Sequence, residues 1–199
     1  MHVELPVVES SREVEHSLAV HLRQKLAGEA RFDRLTRTLY STDASIYQIT
    51  PLGVVFPKDI GDVVTTANEC RAAGVPVIAR GAGTGLTGGA VGAGVQIDFS
   101  RYMNRIGTFD SQAQTVEVEP GVVLDELNAF LAPAGLHFAP DVATSSRATI
   151  GGMVANNSCG AHSLVYGRTV DHLLELTVVL SSGDTVTFDP RKSGSAATF

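Results

Sequence analysis

Apolar residues recur at two periods along this chain, and the change of period divides it. Val14, Leu18, Leu22 and Leu26 return every four residues, between a capping box at Ser10-Ser11-Arg12-Glu13 and a stop at Gly28. That spacing predicts one amphipathic packing helix, with Glu9, Glu13 and Glu15 on a solvated face. A short helix capped by Asp33 is predicted within residues 31–37, followed by an ordered polar loop at residues 40–45. From Leu52 short apolar runs alternate with helical periods, the pattern of an α/β domain. Residues 52–56 read as a strand stopped by Pro57. Asp59 caps a helix carrying Val63, Val64, Ala67 and a buried Cys70 to Gly74, and residues 77–80 form the next strand. Residues 95–99, 106–109 and 115–119 alternate and are expected to form one antiparallel or mixed patch. Val123, Leu124, Leu127 and Leu131 predict a packing helix ending near Pro133 and Gly135. Residues 173–180 and 185–188, joined by Ser181-Ser182-Gly183-Asp184, read as a hairpin, and the residues after 189 as a polar tail or cut end.

Two stretches have neither period. In the first, Arg80-Gly81-Ala82-Gly83-Thr84-Gly85-Leu86-Thr87-Gly88-Gly89 runs on through Gly92 and Gly94, so that seven of the 20 glycines fall between positions 81 and 94. Such a run buries little and leaves amide N–H groups free to cradle an anion, a phosphate or pyrophosphate above all. Arg80 is the nearest cation in sequence. The second stretch, residues 140–162, consists almost wholly of small residues and of amide or hydroxyl donors. Its backbone is suited to approach a flat polar ligand and bond its edges.

The totals narrow the field. With 199 residues, 44% of them hydrophobic, the chain can bury a core as one domain or two small lobes. A formal net charge of −6 argues against nucleic acid or an anionic membrane as partner. Cys70 and Cys159 make neither a disulfide framework nor an iron–sulfur motif. The amino terminus lacks a leader pattern and no apolar run approaches the ~20 residues of a membrane span, so a cytoplasmic location is expected.

Gly83-Thr84-Gly85-Leu86-Thr87-Gly88 satisfies G-x-G-x-x-G after a strand, but a Rossmann fingerprint needs its third glycine inside a helix, and Gly89-Ala90-Val91-Gly92-Ala93-Gly94 cannot hold one. A P-loop is excluded because no Gly-Lys-Ser/Thr triplet is present. Cys159 and His162 have C-x-x-H spacing without a compact second pair, so no metal site is expected. His162 reads as a polar loop residue or a donor to a ligand. No G-x-S-x-G elbow marks a hydrolase.

Taken together, residues 77–89 and residues 140–163, the latter followed by Tyr166-Gly167, resemble the FAD-binding half of the FAD-linked oxidases. This is the vanillyl-alcohol-oxidase or PCMH-type family, in particular its D-lactate, glycolate and D-2-hydroxyglutarate dehydrogenase branch. The resemblance covers roughly residues 35–190. It implies an α+β, PCMH-type fold of two α+β subdomains, about residues 35–100 and 101–190, with FAD between them. Residues 1–34 would be a helical segment before it, and residues 191–199 a tail. On this resemblance Arg80, Gly81, Ala82, Gly83, Thr84, Gly85, Leu86 and Gly88 would hold the pyrophosphate. Pro140, Asp141, Ser146, Thr149, Gly151, Gly152, Asn157, Gly160 and His162 would line the ribityl chain and isoalloxazine, and the backbone near Val170 the adenine side. Covalent members carry a histidine about where Thr84 stands, so FAD is expected to be non-covalent.

The resemblance also implies what this chain does not carry. Family members have a later cap domain that holds the hydroxy acid and accepts its proton, and the run from Asn156 to Tyr166 looks like that of large bacterial members fused to an iron–sulfur part. No catalytic residue is assigned here, and the chain reads as a fragment, inactive alone, of an FAD-dependent 2-hydroxy acid dehydrogenase or oxidase. An iron–sulfur domain or subunit is the expected electron acceptor, and the full-length protein could associate peripherally with a membrane. The reading from a different class is a non-catalytic flavin- or nucleotide-binding module.

Overall fold

The structure, a computed structural model, describes residues 11–189. The capping residue Ser10, the face residue Glu9 and the tail lie outside them. The first helix, Ser11–Lys25 (α1), buries Leu18 and Leu22, as its four-residue spacing requires. Glu15 is paired with Arg37 at 2.9 Å, so one member of the expected solvated face is an anchor for the helix Arg34–Leu39 (α2). Asp33 caps α2 by accepting the Thr36 N–H at 2.9 Å.

A four-stranded sheet organises this half of the molecule. Its strands are Glu29–Arg31 (β1), Gly53–Phe56 (β2), Val77–Arg80 (β3) and Val95–Asp98 (β4), in the order β1-β2-β4-β3. β1 is antiparallel to β2, whereas β4 is parallel to both of its neighbours. The helix Ile60–Ala72 (α3), capped by Asp59, makes the crossover from β2 to β3 and packs with α1 over Val55, Cys70 and Val95. Burial pushes the Cys70 thiol up to about 12.

Placing β4 inside this sheet overturns the expectation of one patch made by residues 95–119. The alternation around Gln96 resembles that of a half-exposed strand, but Gln96 is fully buried and its Nε2 donates to the Tyr40 carbonyl at 2.9 Å. One satisfied polar side chain thus mimicked a solvent face. β1 was also unforeseen, because three residues are too few to show a period.

Parallel neighbours demand that the chain return from the end of β3 to the start of β4, and here no helix makes that return. Residues 81–94 do so. A Cβ on Gly92 would meet Ile78 at 2.9 Å and one on Gly94 the Pro76 carbonyl at 1.9 Å, so the returning chain runs back directly against β3.

The second half has its own core. The hairpin Ile106–Asp110 (β5) and Thr115–Val118 (β6) packs with the helices Leu124–Leu131 (α4) and Ile150–Asn156 (α5) around Val122, Leu127, Ile150 and Met153. α5 forms despite two glycines, each costing about 1 kcal/mol against alanine. Thr149 caps it, Ile150 and Met153 bury, and Asn157 closes it at φ +45°. The one-turn helix Ser163–Tyr166 (α6) follows. The expected hairpin is present as Leu176–Val179 (β7) and Thr185–Phe188 (β8), and its turn docks on α3, where the Arg71 guanidinium donates to the Ser182 carbonyl at 2.7 Å.

Candidate functional site

The loop after β3 is defined by what it does not bond. Among the described residues, no backbone amide from residue 81 to residue 89 donates a hydrogen bond. Gly81, Gly83, Thr84, Gly85 and Gly88 are half-buried, and open donors at such positions mark a place suited to an acceptor. Gly83 (φ +67°) and Gly88 (φ +77°) adopt the left-handed conformation that frees the row to curl. From outside, the Ala44 N–H donates to the Gly83 carbonyl at 2.9 Å, and the Tyr47 ring lies where a Cβ on Gly88 would be. Thr84 and Gly85 are half-buried in this turn, whereas Ala82 and Leu86 project to solvent, Leu86 with 77% of its surface exposed.

Arg80 faces the scaffold. Its guanidinium donates to the carbonyls of Thr42 at 2.9 Å and Ala90 at 3.1 Å, reaches Gln96 Oε1 at 3.4 Å and stacks 5.0 Å from the centre of the Tyr40 ring. Tyr40 in turn donates to Asp98, and burial together with that carboxylate pushes its phenol well above the ordinary value. The arginine therefore braces both ends of the loop. Residues 40–47, of which sequence showed 40–45 as an ordered loop, are its buttress, held by the Thr42–Gln48 bridge; Asp43 two positions before Ser45, an Asx-turn spacing, was the signal available.

The structure brings the second small-residue segment against this loop. A Cβ on Gly81 would lie 2.2 Å from Thr149 Oγ1, and one on Gly85 4.0 Å from Asn156 Nδ2. α5 therefore flanks the loop from its cap to its last residue. Thr149 also accepts the Gly152 N–H at 3.3 Å. Gly151 and Gly160 have packing reasons of their own: a Cβ would meet Pro120 at 2.6 Å in the first case and the Asp141 carbonyl at 2.0 Å in the second. Asp141 accepts hydrogen bonds from His162, which hold its carboxyl below the usual range. Asn157 accepts the Val170 N–H at 3.1 Å, and both line a small apolar cavity of about 170 Å³ with Val154, Leu173 and Leu176. Pro140 is buried next to Asp141, and Ser146 is exposed on the turn before α5.

None of the residues of the loop or of the second segment lines the larger cleft of about 400 Å³ between Arg31, Tyr40, Phe56, Asp98 and Arg101. Among the described residues no group of three His, Cys, Asp or Glu side chains could hold a metal ion, and no helix is long and apolar enough to cross a membrane. The geometry fits a pyrophosphate-bearing ligand: open amides, a turn with two left-handed residues that favours glycine, and a flank of small residues along one side.

Comparison with known proteins agrees with that geometry. The profile of the family described as "FAD binding domain" matches residues 51–189. A D-2-hydroxyglutarate dehydrogenase of Pantoea ananatis (strain AJ13355) is 43% identical over 164 residues, which is 81% of this chain and 16% of that protein. Glycolate oxidase subunit GlcD of Escherichia coli (strain K12) is 38% identical over 145 residues, 72% of this chain and 29% of the subunit. The chain thus spans about a sixth of the length of the dehydrogenase it matches. In fold it is similar to p-cresol methylhydroxylase with substrate bound, at a TM-score of 0.79 and 18% identity, over 95% of this chain and 38% of that one.

Proposed function

The chain belongs to the FAD binding domain family, and from that premise we propose that it is the cofactor-holding part of a longer flavoenzyme that oxidises a 2-hydroxy acid. The observation that carries this reading is the undonated row of amides at residues 81–89, closed along one side by α5. Relatives named for D-2-hydroxyglutarate, glycolate and D-lactate support the substrate class.

The amides of Gly81, Ala82, Gly83, Thr84, Gly85, Leu86 and Gly88 bind the pyrophosphate, neutralising it with dipoles rather than with a cation. The Thr84 hydroxyl adds a donor, and Arg80 holds the loop in shape from beneath. Pro140, Asp141, Ser146, Thr149, Gly151, Gly152, Asn157, Gly160 and His162 form the wall along the ribityl chain and the ring, and Val170 stands toward the adenine. Bound FAD supplies an acceptor for hydride from the hydroxyl-bearing carbon. Thr84 in place of a histidine leaves the loop without a nucleophile for the flavin, so the cofactor is held non-covalently. The two cores correspond to the two subdomains, divided near residue 100, with the cofactor between them. The carboxylate clamp, the proton acceptor and an iron–sulfur electron acceptor belong to other parts of the longer protein, which works in the cytoplasm.

The visible absorption spectrum after incubation with FAD and removal of free ligand tests this. Flavin bands that survive, are released by denaturation, and in the longer protein bleach with a D-2-hydroxy acid are the expected result. Bands that never bleach with any 2-hydroxy acid would leave a flavin carrier and remove the dehydrogenase.

A further inference from the structure

The parallel strands β2, β4 and β3 end on one edge of their sheet, and the amide loop leaves that edge after β3. Open sheets of this kind present ligands with the carboxyl ends of their parallel strands. The same edge continues past β4 to the cleft of about 400 Å³, which the amide loop and its flank leave unused. Its floor is the buried ring of Phe56, the last residue of β2. Asp98 ends β4 beside it, and Ser100 and Arg101 follow at once. The antiparallel β1 sets Glu29 opposite Phe56, and Arg31, two residues on, lies on the same face as Glu29.

Charge in the cleft is not balanced at its surface. Arg31 and Arg101 converge on the Phe56 ring, with their guanidinium carbons 5.5 and 5.1 Å from its centre. Glu29 serves both cations. It accepts from Arg31 Nε at 2.8 Å and Nη2 at 2.5 Å, lies 3.2 Å from Arg101 Nη2, and also accepts from the Tyr102 hydroxyl. Glu29 does not line the cleft, and Arg31 Nη1 has no hydrogen-bond partner among the described residues. The carboxylate that does line it, Asp98, is buried and occupied by the Tyr40 hydroxyl at 2.5 Å, the Ser100 N–H at 2.8 Å and the Ser100 hydroxyl at 2.7 Å. The next charges out, Lys58 over Tyr102 and Asp33 near Arg31, are of opposite sign. Two guanidiniums drawn onto one ring repel each other, and a single shared carboxylate neutralises only one of them.

We propose that this cleft is a second ligand site, for a small organic acid whose carboxylate is bonded by Arg31 and Arg101 and whose apolar body lies against Phe56 and Leu39. The planar fork of a guanidinium matches a carboxylate, and one uncompensated positive charge suits a monoanion. Leu39, at the rim with 65% of its surface exposed, supplies an apolar wall that a bare inorganic anion would not use. The volume falls within the range of about 300–1,000 Å³ usual for small-molecule sites. This inference does not depend on the cofactor reading, because no residue of the amide loop or of its flank lines the cleft.

The test is a titration of the isotope-labelled chain with hexanoate, followed by its amide resonances. Saturable shifts at Phe56, Ser100 and Arg101, with a dissociation constant in the millimolar range, are expected. Hexanamide, of the same length without the charge, is expected to bind at least about tenfold more weakly, and inorganic phosphate to give no saturable shift at Phe56. Arg101→Met leaves Glu29 its bonds from Arg31 and Tyr102 and should weaken hexanoate about tenfold, whereas Arg101→Lys should recover part of that loss. Equal binding of hexanamide and hexanoate, which needs no variant to observe, overturns the inference. So do saturable binding of phosphate in the cleft, an unchanged hexanoate affinity in Arg101→Met, and hexanoate shifts that appear only outside the cleft or not at all.

Discussion

Residues 81–94 and residues 140–162 are both rich in glycine and other small residues, yet they are small for opposite reasons. In the first stretch Gly83 and Gly88 supply a left-handed backbone, Gly89 has open space around it, and the amides of residues 81–89 donate to nothing among the described residues, with Gly81 at one end and Gly92 and Gly94 at the other closely packed. In the second, Gly151 and Gly160 are pressed against Pro120 and Asp141, and the polar groups of Asp141, Thr149 and Asn157 already have partners. One stretch is a donor surface kept open for a ligand. The other is a wall whose smallness lets it stand close to that surface. Similar composition therefore does not mean similar contact with the ligand, and substitutions can tell the two apart.

The largest effect is expected at Gly83→Asp. Aspartate tolerates a positive φ better than most residues, and its carboxylate would meet the Arg80 guanidinium, so the fold should survive. The new carboxylate engages Arg80 on the scaffold side of the loop, which offsets part of its charge and disturbs the brace, but it remains beside the amides proposed to hold the pyrophosphate. Two charges ~4 Å apart at an effective dielectric near 20 repel by about 4 kcal/mol, so FAD affinity should fall roughly a hundredfold or more, read by quenching of flavin fluorescence. Retention at the parent's level would remove the loop from the site.

Next come Gly160→Ala and Gly89→Ala, a pair that addresses the comparison directly. The first drives a methyl into the Asp141 backbone and should cost about 1–3 kcal/mol in urea unfolding, with flavin affinity falling only as the wall loosens. The second has nothing within 4 Å and should leave stability within about 0.5 kcal/mol while weakening FAD. If the two variants exchanged these phenotypes, the loop would be packing and the segment the ligand surface.

Arg80→Met sharpens the role of the brace. Losing its bonds to the Thr42 and Ala90 carbonyls should lower stability by about 1–3 kcal/mol, and the ionic-strength dependence of FAD binding should stay as it was. Unchanged stability with a weaker salt dependence would instead make Arg80 a phosphate ligand.

The smallest effect concerns acid. The hydrogen bond from His162 depresses the Asp141 carboxyl in the folded chain, so the stabilisation is present above the unfolded value of about 3.9 and is lost as pH falls through the lower folded value. Asp141→Asn should therefore flatten the fall in urea midpoint below about pH 4. A curve superimposable on the parent's would show that the pair adds nothing to folding.

Much of the scaffold could be read in the residues themselves. Asp33 and Asp59 announced their helices by local capping chemistry, and Val77 to Arg80 and the strands of the last hairpin by local periodicity. The loop announced itself because a run of glycines is costly wherever it has no use. What escaped depended on partners distant in the chain. Gln96 looked like a solvent-facing position until its bond to Tyr40, 56 residues away, was seen. α5 was hidden because its two glycines argue against a helix, and only burial of Ile150 and Met153 with closure by Thr149 and Asn157 outweighs them.

Most helices and strands, the open loop and the small-residue wall are legible in the residues alone, since they follow from interactions within a few positions; β1, α5 and the sheet membership of β4 are not. It takes the packed fold to show that Thr149 meets Gly81, that Arg80 turns inward and that Asp141 bonds His162. Those contacts join residues 21 to 68 positions apart, and a chain's local preferences carry no record of which distant surfaces its packed cores will bring face to face.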